Sequence, residues 1–390
     1  MSSLIFRKGL DLKDAVAGML AENYHSDLIE RIKADDFTHT AGRLTVHLAR
    51  EFGFCYGVDR AVDYAYQTRR RFPDRRVYLT GEIIHNPHVN EKLRSMGIQF
   101  LSDGTTQPGA ADVVILPAFG VTVAMLQDLD RRGCTLIDTT CGSVLNVWKN
   151  VRRYTENGYT SIIHGKMWHE ETQATASQAV ASGGRYLVVF DGRETDAVCD
   201  YIRQGGDRGA FMARFGRAAS AGFDPDRDLQ RVGLANQTTM LMSESLAIGE
   251  MLRQAMVDRY GEANIKEHFE AFDTICSATQ DRQDAVVALL REKRVDLMIV
   301  IGGYNSSNTC NLARICADSS PTFHIADPAC LVSASEIRHR PVGRKEEVTA
   351  TGWLPPAGGI MIGLTSGAST PDNLVAEAIV RLTGFAHEHL

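Results

Sequence analysis

The chain has 390 residues, of which 44% are hydrophobic and 23% are charged, and its net charge is -6. This length and composition suit roughly two to four globular domains, and the acidic balance excludes a generally basic surface for nucleic acid or an acidic membrane. Eight cysteines are too few for a disulfide scaffold, no signal or transit peptide is recognisable, and no apolar run approaches the ~20 residues that span a bilayer. We therefore expect a cytoplasmic protein with no nucleic-acid or membrane partner, whose reduced thiols can bind metal.

The first predicted element is a helix over residues 12–24. Its apolar residues have amphipathic spacing, at Leu12, Val16, Met19 and Leu20. We interpret residues 1–40 as an N-terminal helical extension. From residue 44 onward, apolar strands alternate with Gly-rich or polar loops and helices, which is typical of an α/β fold with parallel sheets.

Polar loops follow the predicted strands directly. The clearest strands cover residues 112–116, 161–163, 297–301 and 360–364. Because ligands bind at the carboxyl ends of strands in open α/β sheets, we expect the site in these loops. The charged segment at residues 338–349 is predicted to be a solvated loop or hairpin.

Three cysteines occur in short frames that a helix is predicted to follow. Cys55 lies in the stretch GFCYG, and Cys141 and Cys276 end the related stretches IDTTC and FDTIC. Three such thiols favour a catalytic metal centre that has three protein ligands and one open position. The other cysteines lack this frame and are predicted to be small buried hydrophobes: Cys134, Cys199, Cys310, Cys316 and Cys330.

The spacing of the three framed cysteines fits three α/β lobes that each supply one thiol to a shared centre. We predict these lobes at residues 41–141, 142–272 and 273–390. The second lobe has an insertion near residues 205–231, and the C-terminal tail of the third closes on the site.

An iron–sulfur cluster is the metal centre that these cysteines favour. Structural zinc prefers four ligands and close C-x-x-C pairs, and the sequence contains no such pair. Iron–sulfur clusters take thiolates, which can come from distant segments. An open iron suits the reductive removal of a hydroxyl group.

Histidine, hydroxyl and amide side chains at predicted strand ends and helix starts can hold a phosphate or diphosphate. They are His85, His169, Ser306, Ser307, Asn308 and Ser369. The loop at residues 302–308, considered alone, could equally be a simple helix cap.

Taken together, these segments resemble the family of 4-hydroxy-3-methylbut-2-enyl diphosphate reductases, the last enzymes of the non-mevalonate isoprenoid pathway. The resemblance covers roughly residues 45–385. The matching motifs occur in order at residues 52–55, 82–86, 138–141, 169–175, 236–239, 273–282, 305–308 and 365–369. This ordered series is far more specific than any single motif.

The resemblance implies three pseudo-threefold-related α/β lobes, each with a small mainly parallel sheet, around one central 4Fe–4S cluster held by Cys55, Cys141 and Cys276. It implies reductive dehydration of 4-hydroxy-3-methylbut-2-enyl diphosphate to isopentenyl and dimethylallyl diphosphate, with the substrate hydroxyl on the open iron. Electrons would come from a ferredoxin or flavodoxin, since no flavin or nicotinamide fingerprint is evident in the sequence.

The resemblance also implies roles for individual residues. Glu171 corresponds to the proton donor, and Thr238 to the residue that hydrogen-bonds the substrate hydroxyl or passes the proton onward. Glu170 is the competing carboxylate, but the offset from His169 favours Glu171. The diphosphate clamp would consist of His85, His169, Ser306, Ser307, Asn308 and Ser369.

Two positions depart from the family pattern. Phe119 stands where many members have a histidine that binds the diphosphate, and Gly142 follows Cys141 where the family usually has proline. The plant and cyanobacterial type shares this phenylalanine and has a longer chain with an acidic insert that residues 222–228 resemble. Lys166 is our candidate for the replacement cation, whereas Gly142 puts the local turn in doubt more than the ligand.

Three other interpretations remain open at the level of sequence. A quinolinate-synthase-like cluster enzyme would share the cysteines but should lack the phosphate-binding set. A non-catalytic iron–sulfur redox sensor could lose Glu171 or Thr238 without consequence. A zinc-stabilised α/β binding protein would be revealed by metal analysis.

Overall fold

The computed structural model describes residues 4–104, 107–272, 274–355 and 358–387. The strands in these ranges are β1 (Ile5–Phe6), β2 (Thr38–Ala41), β3 (Leu44–Leu48), β4 (Val77–Leu79), β5 (Ile98–Phe100), β6 (Val113–Leu116), β7 (Thr135–Asp138), β8 (Thr160–His164), β9 (Tyr186–Val189), β10 (Val232–Asn236), β11 (Phe269–Ala271), β12 (Leu297–Ile301), β13 (Thr322–Ile325), β14 (Glu336–His339), β15 (Val348–Thr351) and β16 (Ile360–Ser366). The α-helices are α1 (Lys13–Tyr24), α2 (Asp27–Ala34), α3 (Tyr56–Arg71), α4 (Pro87–Ser95), α5 (Val123–Arg131), α6 (Gly142–Glu156), α7 (Glu170–Ala181), α8 (Gly192–Gln204), α9 (Arg208–Phe215), α10 (Pro225–Asp228), α11 (Met242–Tyr260), α12 (Ile265–His268), α13 (Ser277–Glu292), α14 (Ser307–Ala317) and α15 (Asp372–His387).

The chain divides into two compact units. The middle unit contains Leu101–Cys276 together with the N-terminal residues up to Arg7, and the terminal unit contains Lys8–Phe100 and Ser277–Leu390. The three predicted lobes, with their boundaries and their pseudo-threefold relation, stay a prediction.

Parallel pairing dominates the middle unit. Strand β7 pairs with β6 and β1, and a second sheet has the order β11, β10, β8 and β9, with every pair parallel. Helices α8 and α11 pack against this second sheet through a core that includes Val198, Ile202 and Leu252. Helices α9 and α10 form the segment that the sequence predicts as an insertion near residues 205–231.

The terminal unit is built on a sheet with the order β13, β12, β16, β3 and β2, in which only β2 is antiparallel to its neighbour. Strand β12 is buried along its whole length, which is typical of a central parallel strand that is covered on both faces. Ile299 belongs to the core that contains residues of α2 and α15, whereas Val300 belongs to the core that contains residues of α13 and α14. The unit also contains the parallel pair β4 and β5 and the antiparallel hairpin of β14 and β15.

These elements confirm the predicted α/β class with mainly parallel sheets. The strand predicted at residues 297–301 is β12, the helix predicted at residues 12–24 is α1, and residues 338–349 lie in the hairpin. The N-terminal segment is not purely helical, because β1 and β2 extend two of the sheets. Within the described ranges, no helix combines the length and the apolar character that a membrane crossing requires.

Adjacent parallel strands end side by side in both units. In the middle unit, His164 at the end of β8 is opposite Asn236 at the end of β10. In the terminal unit, Ile301 at the end of β12 is opposite Ser366 at the end of β16. The loops that follow each pair of strands therefore leave the sheet next to each other.

Candidate active site

The three framed cysteines lie immediately before helices. Cys55 precedes α3 and Cys141 precedes α6, both with extended backbone, and Cys276 precedes α13. All three are partly exposed, and none of them forms a disulfide. The backbone N–H groups at a helix start stabilise nearby negative charge, so these positions suit thiolate ligands.

Four of the remaining thiols are buried, as predicted. Burial raises the pKa of the Cys199 and Cys316 thiols to about 12 and also raises the pKa of Cys134 and Cys330. These four thiols therefore stay protonated, which makes them poor metal ligands. The prediction is wrong for Cys310, which is partly exposed and has its Sγ 2.9 Å from Arg340 Nη2.

The Asp-Thr-Thr stretch before Cys141 fixes the loop. The Thr140 hydroxyl donates to Asp138 Oδ1 at 2.6 Å, and the Thr139 hydroxyl donates to the Leu116 carbonyl at 2.6 Å. The Cys141 amide donates to the Ala118 carbonyl at 2.8 Å. The cysteine is thus anchored to the loop after the neighbouring strand β6.

The related stretch before Cys276 has different contacts. Its Asp273 lies outside the described residues, and the Thr274 hydroxyl accepts hydrogen bonds from the backbone and side-chain nitrogens of Asn236 at 2.8 and 3.0 Å. The Cys276 amide donates to the Thr238 carbonyl at 3.3 Å. The two stretches are similar in sequence, but they anchor their cysteines to different loops of the middle unit.

Glu171 is buried, and Thr238 donates hydrogen bonds to both of its carboxylate oxygens. The Thr238 amide nitrogen lies 2.6 Å from Oε1, and the Thr238 hydroxyl lies 3.1 Å from Oε2. Glu170, the competing carboxylate, is exposed. Both residues lie in the first turn of α7, where the helix dipole favours negative charge. Only Glu171 is therefore placed as a buried group with an orientation fixed by Thr238.

His169 caps the same helix. Its Nδ1 accepts a hydrogen bond from the Glu171 amide at 3.2 Å, so in the neutral ring the proton is on Nε2. Phe119 packs edge-to-face on this imidazole, with the ring centroids 6.2 Å apart. Lys166 lies at the start of the loop, where its carbonyl accepts from the His169 amide at 2.9 Å.

In the terminal unit, the start of α14 presents polar groups that are buried. Ser306 caps the helix through Thr309, as the simple helix-cap interpretation predicted. Asn308 also makes a contact outside the helix, because its Oδ1 accepts a hydrogen bond from the Ala368 amide at 3.0 Å. Its Nδ2 is buried and has no hydrogen-bond partner within the described residues. A buried donor without a partner is costly, and an anion bound at this helix start would satisfy it.

His85 and Ser369 lie in the same part of the terminal unit as the loop before α14. The Ser369 hydroxyl donates to the His85 carbonyl at 3.2 Å. Gly303 passes so close to this carbonyl that a Cβ there would lie 2.6 Å from the oxygen. Only glycine therefore permits this approach of the loop after β12 to His85.

The predicted site residues fall into two groups, one in each unit. The middle unit contains Cys141, Lys166, His169, Glu171, Thr238 and Cys276. The terminal unit contains Cys55, His85, Ser306, Ser307, Asn308 and Ser369.

The LytB protein family model matches residues 46–383, which is most of the chain. This chain belongs to the LytB protein family. Among its relatives, the 4-hydroxy-3-methylbut-2-enyl diphosphate reductase of Gloeobacter violaceus is 52% identical over 387 residues, which are 97% of this chain and 91% of that protein. The reductase of the same name from Synechococcus sp. (strain CC9311) is 50% identical over 382 residues, which are 96% of this chain and 94% of that protein.

Two solved structures are also similar to this chain. One is described as (E)-4-hydroxy-3-methyl-but-2-enyl diphosphate reductase, the terminal enzyme of the non-mevalonate pathway. Its TM-score with this chain is 0.53 at 26% sequence identity, and the match covers 87% of this chain and 99% of that one. The other, a reductase from Plasmodium falciparum, has a TM-score of 0.63 at 22% identity and covers 87% of each chain, which supports the fold.

The sequence did not predict some residues that support the site of this LytB family member. Gln237 Oε1 accepts from the Lys166 amide at 3.1 Å and from the Thr172 hydroxyl at 3.3 Å, which joins the loops after β8 and β10. Glu82 Oε2 lies 2.8 Å from His85 Nδ1 and accepts from Asn305 at 2.7 Å. Both residues lie in matching motifs, Gln237 at residues 236–239 and Glu82 at residues 82–86, and Glu82 also precedes His85 by three positions. These were the signals that the sequence offered.

The hairpin of β14 and β15 supports the loop before α14. The Tyr304 hydroxyl donates to Glu347 Oε2 at 2.8 Å, and the Arg340 guanidinium lies 4.8 Å from the centre of the Tyr304 ring. Burial and the Glu347 carboxylate raise the pKa of Tyr304, so its hydroxyl remains a donor. The charged segment predicted as a solvated loop thus also holds a loop that carries site residues.

Replacement of Asn308 by Asp tests the anion site at the start of α14. Asn308→Asp keeps an oxygen for the Ala368 amide but replaces the buried donor by a negative charge. We expect the affinity for inorganic diphosphate, measured by calorimetry, to fall at least about tenfold. The exposed Asn264→Asp control, which makes the same charge change, should bind as the wild type does. Equal affinity in Asn308→Asp and the wild type would contradict an anion site here.

Proposed function

We propose that this chain is a 4-hydroxy-3-methylbut-2-enyl diphosphate reductase that produces isopentenyl and dimethylallyl diphosphate in the last step of the non-mevalonate pathway. The observation that carries the proposal is the buried carboxylate of Glu171, oriented by two hydrogen bonds from Thr238 in a member of the LytB family. The relatives that share this name match nearly the whole chain. An enzyme of this kind needs a substrate clamp, a proton donor and a source of electrons.

We propose that Cys55, Cys141 and Cys276 hold one 4Fe–4S cluster. The donor set suits this group, because three partly exposed thiols, none of them in a disulfide, each lie directly before a helix. Thiolates are the ligands that such clusters prefer, and three of them leave one coordination position open. When bound, the cluster supplies electrons and a Lewis-acidic iron for the substrate hydroxyl.

Glu171 is the proposed proton donor. Removal of the hydroxyl as water breaks a C–O bond and consumes two electrons and two protons. A protonated Glu171 can deliver one proton to the leaving oxygen, and the other proton forms the new C–H bond of the product with the two supplied electrons. Thr238 fixes the carboxyl orientation, and its hydroxyl can also hydrogen-bond the substrate hydroxyl or pass a proton onward. Because Glu171 is buried, this transfer takes place at a group with little access to bulk water.

The proposed diphosphate clamp uses the residues that the sequence predicts as phosphate ligands. In the terminal unit, the α14 start offers backbone N–H groups and the Asn308 amide, with hydroxyls from Ser306, Ser307 and Ser369 and the imidazole of His85. In the middle unit, His169 can donate from Nε2, and Lys166 carries the charge that would replace the histidine absent at Phe119. Hydrogen bonds to charged phosphate oxygens are the strong class that such a clamp needs.

The electrons must come from a partner. We propose a ferredoxin or a flavodoxin in the cytoplasm, because no flavin or nicotinamide fingerprint is recognisable in the sequence. The redox-sensor alternative makes no use of an oriented proton donor. Glu171 and Thr238 therefore favour the catalytic proposal.

Paired substitutions of the adjacent carboxylates test the proton donor. Glu171→Gln keeps the shape of the side chain but removes the acid, so kcat should fall about 10²- to 10⁴-fold while KM and bound iron stay near the wild-type values. Glu170→Gln is the matched control and should keep near-normal turnover. Normal turnover in Glu171→Gln, or a loss confined to Glu170→Gln, would assign the acid elsewhere.

A second test concerns the cation proposed to replace the missing histidine. Lys166→Ala should raise KM about tenfold, with a smaller effect on kcat, because it removes one charge-assisted contact to the diphosphate. Adding Phe119→His to this variant should recover part of the affinity, and Lys149→Ala, an exposed lysine of α6, is the control. Unchanged KM and kcat in Lys166→Ala would refute the role of Lys166.

A further inference from the structure

Arg282 is a buried arginine for which the described residues provide no carboxylate partner. Its side chain is 4% exposed, and it lies in α13, which begins directly after Cys276. Nη2 donates to the Gly53 carbonyl at 2.7 Å, and Nη1 donates to the Ala278 carbonyl at 2.7 Å. Within the described ranges, Nε is buried and has no hydrogen-bond partner, and no carboxylate forms an ion pair with this guanidinium.

A buried guanidinium of this kind calls for a compensating negative charge. Taking an unpaired cation out of water is energetically costly, so buried arginines are normally paired with an anion. Asp372 is the carboxylate that borders Gly53, where a Cβ would collide with it. Asp372 is already paired with Lys33 at 3.2 Å, and burial raises its pKa, so its own charge is disfavoured. It therefore does not supply the missing anion.

The contacts of Arg282 lead to the Cys55 loop. Gly53 has a positive φ of 77°, and its amide donates to the Ser366 hydroxyl at 3.0 Å. Two residues later, the Cys55 amide donates to the Ala368 carbonyl at 3.2 Å. The short turn at residues 53–55 is thus held by two kinds of contact: Arg282 binds the Gly53 carbonyl, and Ser366 and Ala368 bind the amides of Gly53 and Cys55.

We propose that Arg282 is a positioning residue for the Cys55 ligand and that its buried positive charge balances the negative charge of a cluster bound there. This inference rests on the proposed function, because a cluster with three thiolate ligands is the anion in question. Reduction adds one negative charge to the cluster, and a nearby fixed cation favours the more negative state. Net charge and hydrogen bonding in the surroundings are known determinants of cluster potentials. Arg282 would therefore make the cluster easier to reduce.

Two variants separate the charge of Arg282 from its hydrogen bonds. Arg282→Lys keeps the charge but loses the forked donor, and Arg282→Gln keeps a donor but loses the charge. Arg291→Gln, at an exposed position of the same helix, is the control. Each protein is purified without oxygen, checked by circular dichroism, and assayed for bound iron and sulfide and for its midpoint potential by a spectroscopically monitored titration.

We expect Arg282→Gln to shift the equilibrium between oxidised and reduced cluster about tenfold toward the oxidised form, which for one electron lowers the potential by about 59 mV. Arg282→Lys and Arg291→Gln should stay close to the wild type in potential. Loss of bound iron from a folded Arg282→Gln or Arg282→Lys protein would support the positioning role. Loaded Gln and Lys variants with the wild-type iron content and potential would overturn the proposal. Absence of a cluster from the wild type would instead refute the proposed function, so the two failures are distinguishable.

Discussion

The candidate site depends on one constraint of parallel sheets: neighbouring strands that run in the same direction end at the same edge. The pairing of His164 with Asn236 brings the loop that leads to Glu171 next to the loop that contains Thr238. The pairing of Ile301 with Ser366 does the same for Asn308 and the loop around Ala368. Helices begin directly after these loops, so their unsatisfied backbone N–H groups face the same region as the polar side chains. The geometry follows from strand register before any individual side chain is considered.

The site also carries a free-energy cost, because it places polar side chains in the protein interior. Glu171, Asn308 and Arg282 are all buried polar groups, and a buried polar group is tolerated when its partners are in place. Thr238 provides them for Glu171, whereas Asn308 and Arg282 each keep one buried nitrogen without a partner in the described part of the chain. We propose that an anion compensates each of these residues: a diphosphate that accepts from the Asn308 amide, and a thiolate cluster whose negative charge balances the buried charge of Arg282.

The sequence predicted most of the local structure that carries the site. Strand β12 coincides with its predicted range, and the family resemblance is confirmed by the match over residues 46–383. The two-residue strand β1 escaped prediction, because so short a strand has no periodicity. The supporting contacts of Glu82 with Asn305 and of Arg282 with Gly53 escaped it too, since they join residues more than 200 positions apart. Cys310 shows the opposite error: because it lacks the repeated frame it is predicted to be a buried hydrophobe, but it is partly exposed and Arg340 approaches it from the hairpin. The roles of the individual site residues remain proposals.

The central claim is that a cluster on three cysteines and an oriented acid together remove a hydroxyl group. The most direct measurement is to purify the protein without oxygen, count iron and sulfide per chain, and supply 4-hydroxy-3-methylbut-2-enyl diphosphate with a low-potential reductant. We expect about four irons and about four sulfides per chain, with isopentenyl and dimethylallyl diphosphate as products. A protein without a cluster, or one with a full cluster that forms neither product, would contradict it.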